Sequence, residues 1–586
     1  GAYDTSRTLI IDPVFLYSTY FGGPGEEVPF GVTVDSAGSA YVTGYEFAQR
    51  QRAFVAKLNA TGTALSYLTY FGGNGDSVGY GIAVDAHGNA FTAGYTRASD
   101  FPTKNPLQAN RKGWANAFVA KLDVNGLPVY STYLGGSDQA SGHGDFGTGI
   151  AVNSAGEVYL TGETTSIDFP TVNAFQPAKG GLRDCFVAKL NAAGSALLFS
   201  TYLGGSNTEG GNITSDSHST NPGNRIAVDS TGAVYVTGYT FSSNFPVVNA
   251  LQPSKRGESD VFVTKLKPTG APVYSTYLGG SGTGNDFAHG DYAYGIAVDS
   301  LQNVYVVGDT TSNDLSTGNA FQRVKNGARD AFLVKLNAEG NAIVYSTYLG
   351  GSSSLDHAFG VAVDAAANVY VTGVTDSTNF PVVNLLQPAK GAAKDAFVCK
   401  FNSVGSALVY SSYVGGGGAD SGSAIAVDEV GNVFLTGWTT STNFPTTDPL
   451  QAVNGGQFDA FFAKVDSVVF SVIAIQANRG GNAGEVSVNV FGGGFQSGAS
   501  VKLQAPGQPD INGRNPIVRN SSTLTATFDL RDAATGLRDV VVLLPDGSST
   551  TLRNGFSVEE GGSSELSLNV IGRSTVRANR NSKFET

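Results

Sequence analysis

A chain of 586 residues is too long for one simple core, and 77 Gly with only 14% charged residues favour many short strands over helices. A formal net charge of −12 argues against a nucleic-acid partner, because phosphate binding needs clustered Lys and Arg. No apolar run approaches the length of a membrane span.

The chain begins at Gly1 and contains no Met, so a processed N-terminus is expected, with a removed secretory signal as one route to it. GAYDTSRTLIIDP (1–13) reads as the end of an upstream segment. The phrase that follows, LYSTYFGG (16–23), recurs as SYLTYFGG (66–73), VYSTYLGG (129–136), FSTYLGG (199–205), VYSTYLGG (273–280), VYSTYLGG (344–351) and VYSSYVGG (409–416). Three other phrases recur with it. GVTVD (31–35) has sisters at 81–85, 149–153, 225–229, 295–299, 360–364 and 424–428. VYVTG-like phrases end at Gly44, Gly94, Gly162, Gly238, Gly308, Gly373 and Gly437, and AFVAK-like phrases end at Lys57, Lys121, Lys189, Lys265, Lys335, Lys400 and Lys464. Each is β-branched or aromatic, of strand length, and bounded by turn residues.

The unit is therefore strand A (GIAVD), strand B (VYVTG), strand C (AFVAK) and strand D (YSTYLGG). Four antiparallel strands repeated seven times predict an all-β, seven-bladed propeller over residues 14–466. Counting from the first A strand, the seventh blade lacks a good D phrase, and the N-terminal LYSTYFGG is the one left over. Pairing it into blade seven closes the ring and removes an open edge. The competing strand for that place is SVVFSVIAI (467–475), which lacks the Thr-Tyr and Gly-Gly signature.

The phrases VYVTGYTFSSNFPVVNALQP and DAFLVKLNAEGNAIVYSTYLGG resemble the bacterial β-propeller repeat family known as SBBP. That resemblance implies a secreted or surface-exposed bacterial protein and transfers no catalytic residues. Blade one departs from the pattern by lacking the NFPxxNxxQ insert between B and C, and blade five degrades it to NDLSTGNAFQ.

From about residue 470 the repeats stop, and ASVKLQ, STLTATFDL and RDVVVLLPDGSSTTLRNGFSVEE read as successive strands with Gly and Pro-Asp-Gly turns. The run over 470–560 resembles an IPT/TIG immunoglobulin-like β-sandwich. Residues 561–586 read as the start of a further, truncated β segment.

There is no phosphate loop, HExxH, CxxC pair or nucleophile elbow. Cys185 and Cys399 each replace a strand Ala of sister repeats and are expected to be buried free thiols. The candidate ligand or metal residues are His143, Asp145, Asp216, His218, His289, Asp291, Asp356 and His357, all assigned to the D-to-A connections leading into blades three to six. Imidazole beside carboxylate suits a metal or polar ligand, and Ca²⁺ is the cation these loops would suit, although no EF-hand spacing supports it. No other cofactor is expected. The bland reading is that His and Asp are simply tolerated in polar loops. Phe101, Phe169, Phe245, Phe380 and Phe444, each followed by Pro, are expected to plug the grooves between blades rather than stack on sugars. The YSTY tyrosines are expected to fill between blades, and the strand-C lysines to snorkel.

These features point to a non-catalytic extracellular surface or matrix protein whose propeller is a rigid binding or assembly scaffold, with a filament or sheath subunit as a variant. Its expected partners are other extracellular proteins, copies of itself, or polysaccharide. The second reading is a polysaccharide lyase or hydrolase at the channel mouth, with His143, Asp145, His289 and Asp291 as acid and base.

Overall fold

The structure, a computed structural model, describes residues 13–210, 225–282, 290–387, 389–466, 471–493, 495, 498–520, 523–545 and 549–561. Its strands form seven four-stranded sheets and one eight-stranded sheet, with no helix among the described residues. Six blades run A-B-C-D in chain order over residues 26–71, 77–134, 145–203, 225–278, 291–349 and 356–414. The seventh takes strands A to C from residues 420–466 and its D strand from Val14–Phe21. That strand pairs antiparallel with Asp459–Asp466, from Val14 opposite Asp466 to Phe21 opposite Ala460. The competing segment goes elsewhere: Ser471–Gln476 pairs with Glu485–Gly493.

The recurring phrases now have physical reasons. The second Tyr of YSTY pins the loop that follows strand B of its own blade. In blade four the Tyr277 hydroxyl donates to the Ser242 carbonyl (2.9 Å) and accepts from the Phe245 N–H (2.9 Å). Tyr20, on the N-terminal strand, does the same in blade seven with Ser441 and Phe444 (both 2.8 Å). So the first strand is a full member of the last blade. The five Phe-Pro phenylalanines are buried, each 4.4–4.9 Å centroid to centroid from a strand-C Phe. They are packing residues and offer no face to a sugar.

The first Tyr of YSTY lies on the lower face, that of the A-to-B and C-to-D turns. Its ring fills the space against the C-to-D turn glycine of the next blade. A Cβ on Gly340 would come within 2.6 Å of the Tyr274 ring, so only glycine fits there. The Tyr67, Tyr130, Tyr274, Tyr345 and Tyr410 hydroxyls have no hydrogen-bond partner in the structure, and blade three uses Phe199 instead. On the same face each strand-C lysine lies 4.7–5.0 Å from the ring centroid of a strand-B Tyr or Phe. The lysines are therefore stacked, and several also pair with acids, as Lys57 does with Asp35 at 3.4 Å.

The C-terminal residues form a second compact unit. Its strands are ordered Ser471–Gln476, Glu485–Gly493, Thr523–Asp529, Ile511–Asn520, Ser500–Gln504, Gly536–Leu543, Ser549–Glu559 and Arg479–Gly481. All neighbours are antiparallel except the last pair. Alternating residues such as Val488, Leu503, Leu524, Phe528, Val540 and Phe556 form its core.

Candidate functional site

The seven A strands surround the axis and enclose a cavity of about 130 Å³. The register shifts at one residue in the A strands of six blades, between Pro29 and Gly31 in blade one and at matching places in blades two, three, five, six and seven. The bulged residues, Phe30, Tyr80, Thr148, Tyr294, Phe359 and Ser423, escape the ladder. All but Thr148 line the cavity. The residue after the bulge is Gly in blades one, two, three, five and six, where the next A strand crowds it, and Ala424 in blade seven. A Cβ on Gly81 would come within 3.0 Å of the Ile150 nitrogen.

Blade four breaks this rule by placing Arg225 where its sisters have Gly31, Gly81, Gly149, Gly295, Gly360 or Ala424. Its Nε donates to the Tyr294 carbonyl at 3.2 Å, and its Nη1 to the carbonyls of Thr148 at 2.6 Å and Tyr80 at 3.5 Å. The side chain thus lines the cavity and ties blades two, three and five to blade four. Burial brings its pKa down to about 10, which leaves it cationic at neutral pH.

Above the cavity, one strand-B position carries Tyr45, Tyr95, Glu163, Tyr239, Asp309, Val374 and Trp438 around the ring. The two acids are buried and tethered. Glu163 accepts from Arg183 Nη1 at 3.0 Å, and burial, outweighing that pairing, pushes its pKa up to about 7. Asp309 accepts from Arg329 Nη1 at 3.2 Å and also meets His357 Nδ1. Burial pushes Asp309 up, but His357 and Arg329 outweigh it and hold the carboxyl below its ordinary range.

The sequence-predicted residues occupy three settings. Asp145, Asp291 and Asp356 are the first residues of A strands and are fully buried, not exposed in loops. Asp291 Oδ2 accepts from the Gly280 N–H (2.8 Å) and Ser312 Oγ (3.0 Å), while Oδ1 accepts from Thr310. Asp145, Asp356 and Asp420 repeat this with Thr164 and Ser166, Thr375 and Ser377, and Thr439 and Ser441. Burial pushes Asp291 up to about 7 and the other three up to about 6. His143 is exposed, with Nδ1 3.2 Å from Asp138 Oδ2. His357 sits on strand A of blade six rather than in the connection before it, stacked on Phe359 at 5.7 Å. Asp216, His218 and His289 lie outside the described residues.

A second buried acid, opening strand C, completes the junction in blades three to seven, and Asn116 takes that place in blade two. Asp260 accepts from the N–H groups of Arg256 (2.9 Å) and Gly257 (2.8 Å) and from Gln252 Nε2 (2.7 Å), while Gln252 Oε1 accepts from the Gly279 N–H (3.1 Å). This explains both the Gln of the insert and the Gly-Gly of strand D. A Cβ on Gly279 would lie 2.6 Å from Asp291 Oδ2 and 2.8 Å from Asp260 Cγ. Among the described residues, no group of three or more His, Cys, Asp or Glu is placed to hold a metal ion. Cys185 and Cys399 are buried and free, and burial pushes both thiols up to about 12. What sequence reading missed is Arg225 and the Glu163 and Asp309 pairs; the signals were RIAVD, TGET and VGDT, each breaking its repeat.

Six segments match the SBBP beta-propeller repeat: residues 16–45, 67–102, 129–170, 273–316, 344–381 and 409–445. The chain carries SBBP repeats. Each match opens on strand D of one blade and runs into strands A and B of the next. No curated protein matches the chain. Among solved structures, a protein of unknown function from Dyadobacter fermentans is 9% identical, covering 78% of this chain and 99% of its own, with a TM-score of 0.33. The quinohemoprotein alcohol dehydrogenase from Comamonas testosteroni is 9% identical, covering 77% and 76%, with a TM-score of 0.36. A gluconolactonase from Xanthomonas campestris is 12% identical, covering 76% and 98%, with a TM-score of 0.29. At these scores the similarities carry no weight for function.

Proposed function

We propose that this chain is a non-catalytic extracellular surface or matrix protein in which the propeller is a rigid binding and assembly scaffold. One observation carries the reading: the carboxylates that chemistry at the channel mouth would need are spent on joining blades. Asp145 and Asp291, the acids of the enzymatic alternative, are fully buried and face the chain's own donors. The cavity lining holds no carboxylate, His or Cys among the described residues. The C-terminal unit we assign as an IPT/TIG-like contact module, on its PDG phrase and final GFSV strand.

A turnover screen against acidic and neutral polysaccharides tests the first half. The expected result is no product. Turnover abolished by Asp309→Asn in a chain that still folds would assign an enzyme instead. Fractionation of the native organism tests the second half, with the protein expected in the surface or matrix fraction.

A further inference from the structure

Six of the seven blades hide the outer edge of strand D beneath the B-to-C insert. The insert lays an antiparallel segment along that edge, with bridges such as Val248 to Ser275, Val172 to Ser200 and Thr447 to Ser18. In blade four the Ser275 and Val248 N–H and C=O groups bond both ways (2.7 and 2.9 Å), and the Tyr277 N–H donates to the Gln252 carbonyl (3.2 Å).

Blade one has the edge but no insert. Its B and C strands join by a tight hairpin, Phe47 opposite Gln51. Among the described residues nothing pairs with the outer edge of Leu65–Phe71, and Leu68 and Tyr70 stand where Ser275 and Tyr277 are satisfied. The strand (LSYLTYF) carries no charge and no Pro, the usual guards against edge pairing. Tyr70 is 40% exposed where Tyr277 is 1%. No Phe-Pro ring covers Phe54, which stays buried beside Phe21 at 5.8 Å, so the exposed aromatic on this edge is Tyr70.

The chemistry at the end of the edge differs in one informative way. Blades two to seven open strand C with Asp or Asn, which receives the amide N–H of the insert Gln. Blade one has Arg52 at that place, opposite Glu46 in the ladder where blade four pairs Asp260 with Thr240. Arg52 lies beside Gly72 as Asp260 lies beside Gly279. It stacks 4.5 Å over Tyr70 and reaches Glu46 at 2.9 Å, with further N–H groups on its fork. A segment docking here must offer an acceptor, so Glu suits the place where the sister inserts carry Gln.

We infer that the outer edge of strand D in blade one is a β-augmentation site for an extended segment of another protein, reading aromatic-Pro followed seven residues after the aromatic by Glu. The backbone of that segment completes the edge, its aromatic ring packs beside the exposed Tyr70, and its carboxylate meets Arg52 and the Gly72 N–H. This supplies the scaffold reading with a partner and rests on it only for that; the polysaccharide screen and the experiment below fail independently.

The test uses the full chain and labelled nonapeptides based on residues 244–252 (NFPVVNALQ), followed by fluorescence anisotropy. The peptide carrying Gln252→Glu should bind saturably and roughly fivefold more tightly than the parent, the scale of one partly exposed ion pair. Arg52→Asp in the protein should reverse that order by restoring the sister chemistry. The Glu peptide N-methylated at Val248 should not bind, because it cannot bridge to Leu68. Absence of binding by every peptide, equal binding of the N-methylated one, or an unchanged order in Arg52→Asp would overturn the inference. So would a dimer of the chain that Leu68→Pro dissociates, since the edge would then belong to a second copy.

Discussion

On the upper face, that of the D-to-A and B-to-C connections, Asp145, Asp291, Asp356 and Asp420 are buried and titrate at about 6 to 7. On the lower face, Asp35, Asp229 and Asp299 of the A-to-B turns are held below the ordinary range. Burial pushes both sets up. On the lower face turn N–H groups and a Tyr hydroxyl outweigh it, joined at Asp35 and Asp299 by Lys57 and Lys335. On the upper face the partners are neutral donors, and a second acid stands nearby: Asp260 raises Asp291, Asp330 raises Asp356, and Asp395 raises Asp420. Blade two shows what such a pair wants, because there Asn116 donates directly to Asp145 at 2.9 Å. A carboxylate in this repeat thus meets charge-stabilising donors on one face and neutral donors beside a second polar side chain on the other.

The junction between blades seven and one depends on the N-terminal strand at both faces. Deleting residues 1–23 removes Tyr20 from the upper face and Tyr17 from the lower. The loss should consume much of the about 5–15 kcal/mol that holds a typical domain folded, and urea melts of the truncated chain will show it. A truncation that melts like the intact chain would break the closure.

Single hubs should separate the faces next. Asp291→Ala strands the donors Thr310, Ser312 and Gly280 and should cost about 3 kcal/mol, whereas Asp35→Ala, on a partly exposed turn whose N–H groups can turn to water, should cost about 1 kcal/mol. Equal losses in chemical denaturation would remove the distinction.

The strands were legible because each phrase carries its own period and turn, repeated seven times. The inner half of strand A was not. DFGT and DYAY, with Gly or acid ahead of a bulge, read as loop, so the sequence pattern puts Asp145 and Asp291 in a connection they only terminate. Nothing local marks a carboxylate as buried when its partners, Thr310, Ser312 and Gly280, sit 19, 21 and 11 residues away. For the C-terminal unit the pattern yielded strands but not their order, which depends on long-range pairing such as Lys502 with Asn512 on one side and Val541 on the other.

A smaller contrast lies within one YSTY phrase. Tyr277→Phe removes two hydrogen bonds at the upper face and should cost about 1–2 kcal/mol. Tyr274→Phe removes a buried hydroxyl that has no partner and should be neutral or slightly stabilising, as Phe199 in blade three already suggests. Thermal melts of the two variants compare them directly.

Unfolding free energy of the whole chain between pH 8 and pH 5 tests most directly whether the upper-face carboxylates are structural. Their folded pKa values lie above the ordinary Asp value of about 3.9, so protonation favours the folded state, and stability should rise as pH falls through about 7 to 6. The lower-face acids act oppositely and only at lower pH, withdrawing stability as their depressed pKa values are crossed. A gain from pH 8 to pH 5 that shrinks in Asp291→Asn is the predicted result. Stability that falls across that window would mean these carboxylates are ionised in the folded chain and open to a cation or a substrate.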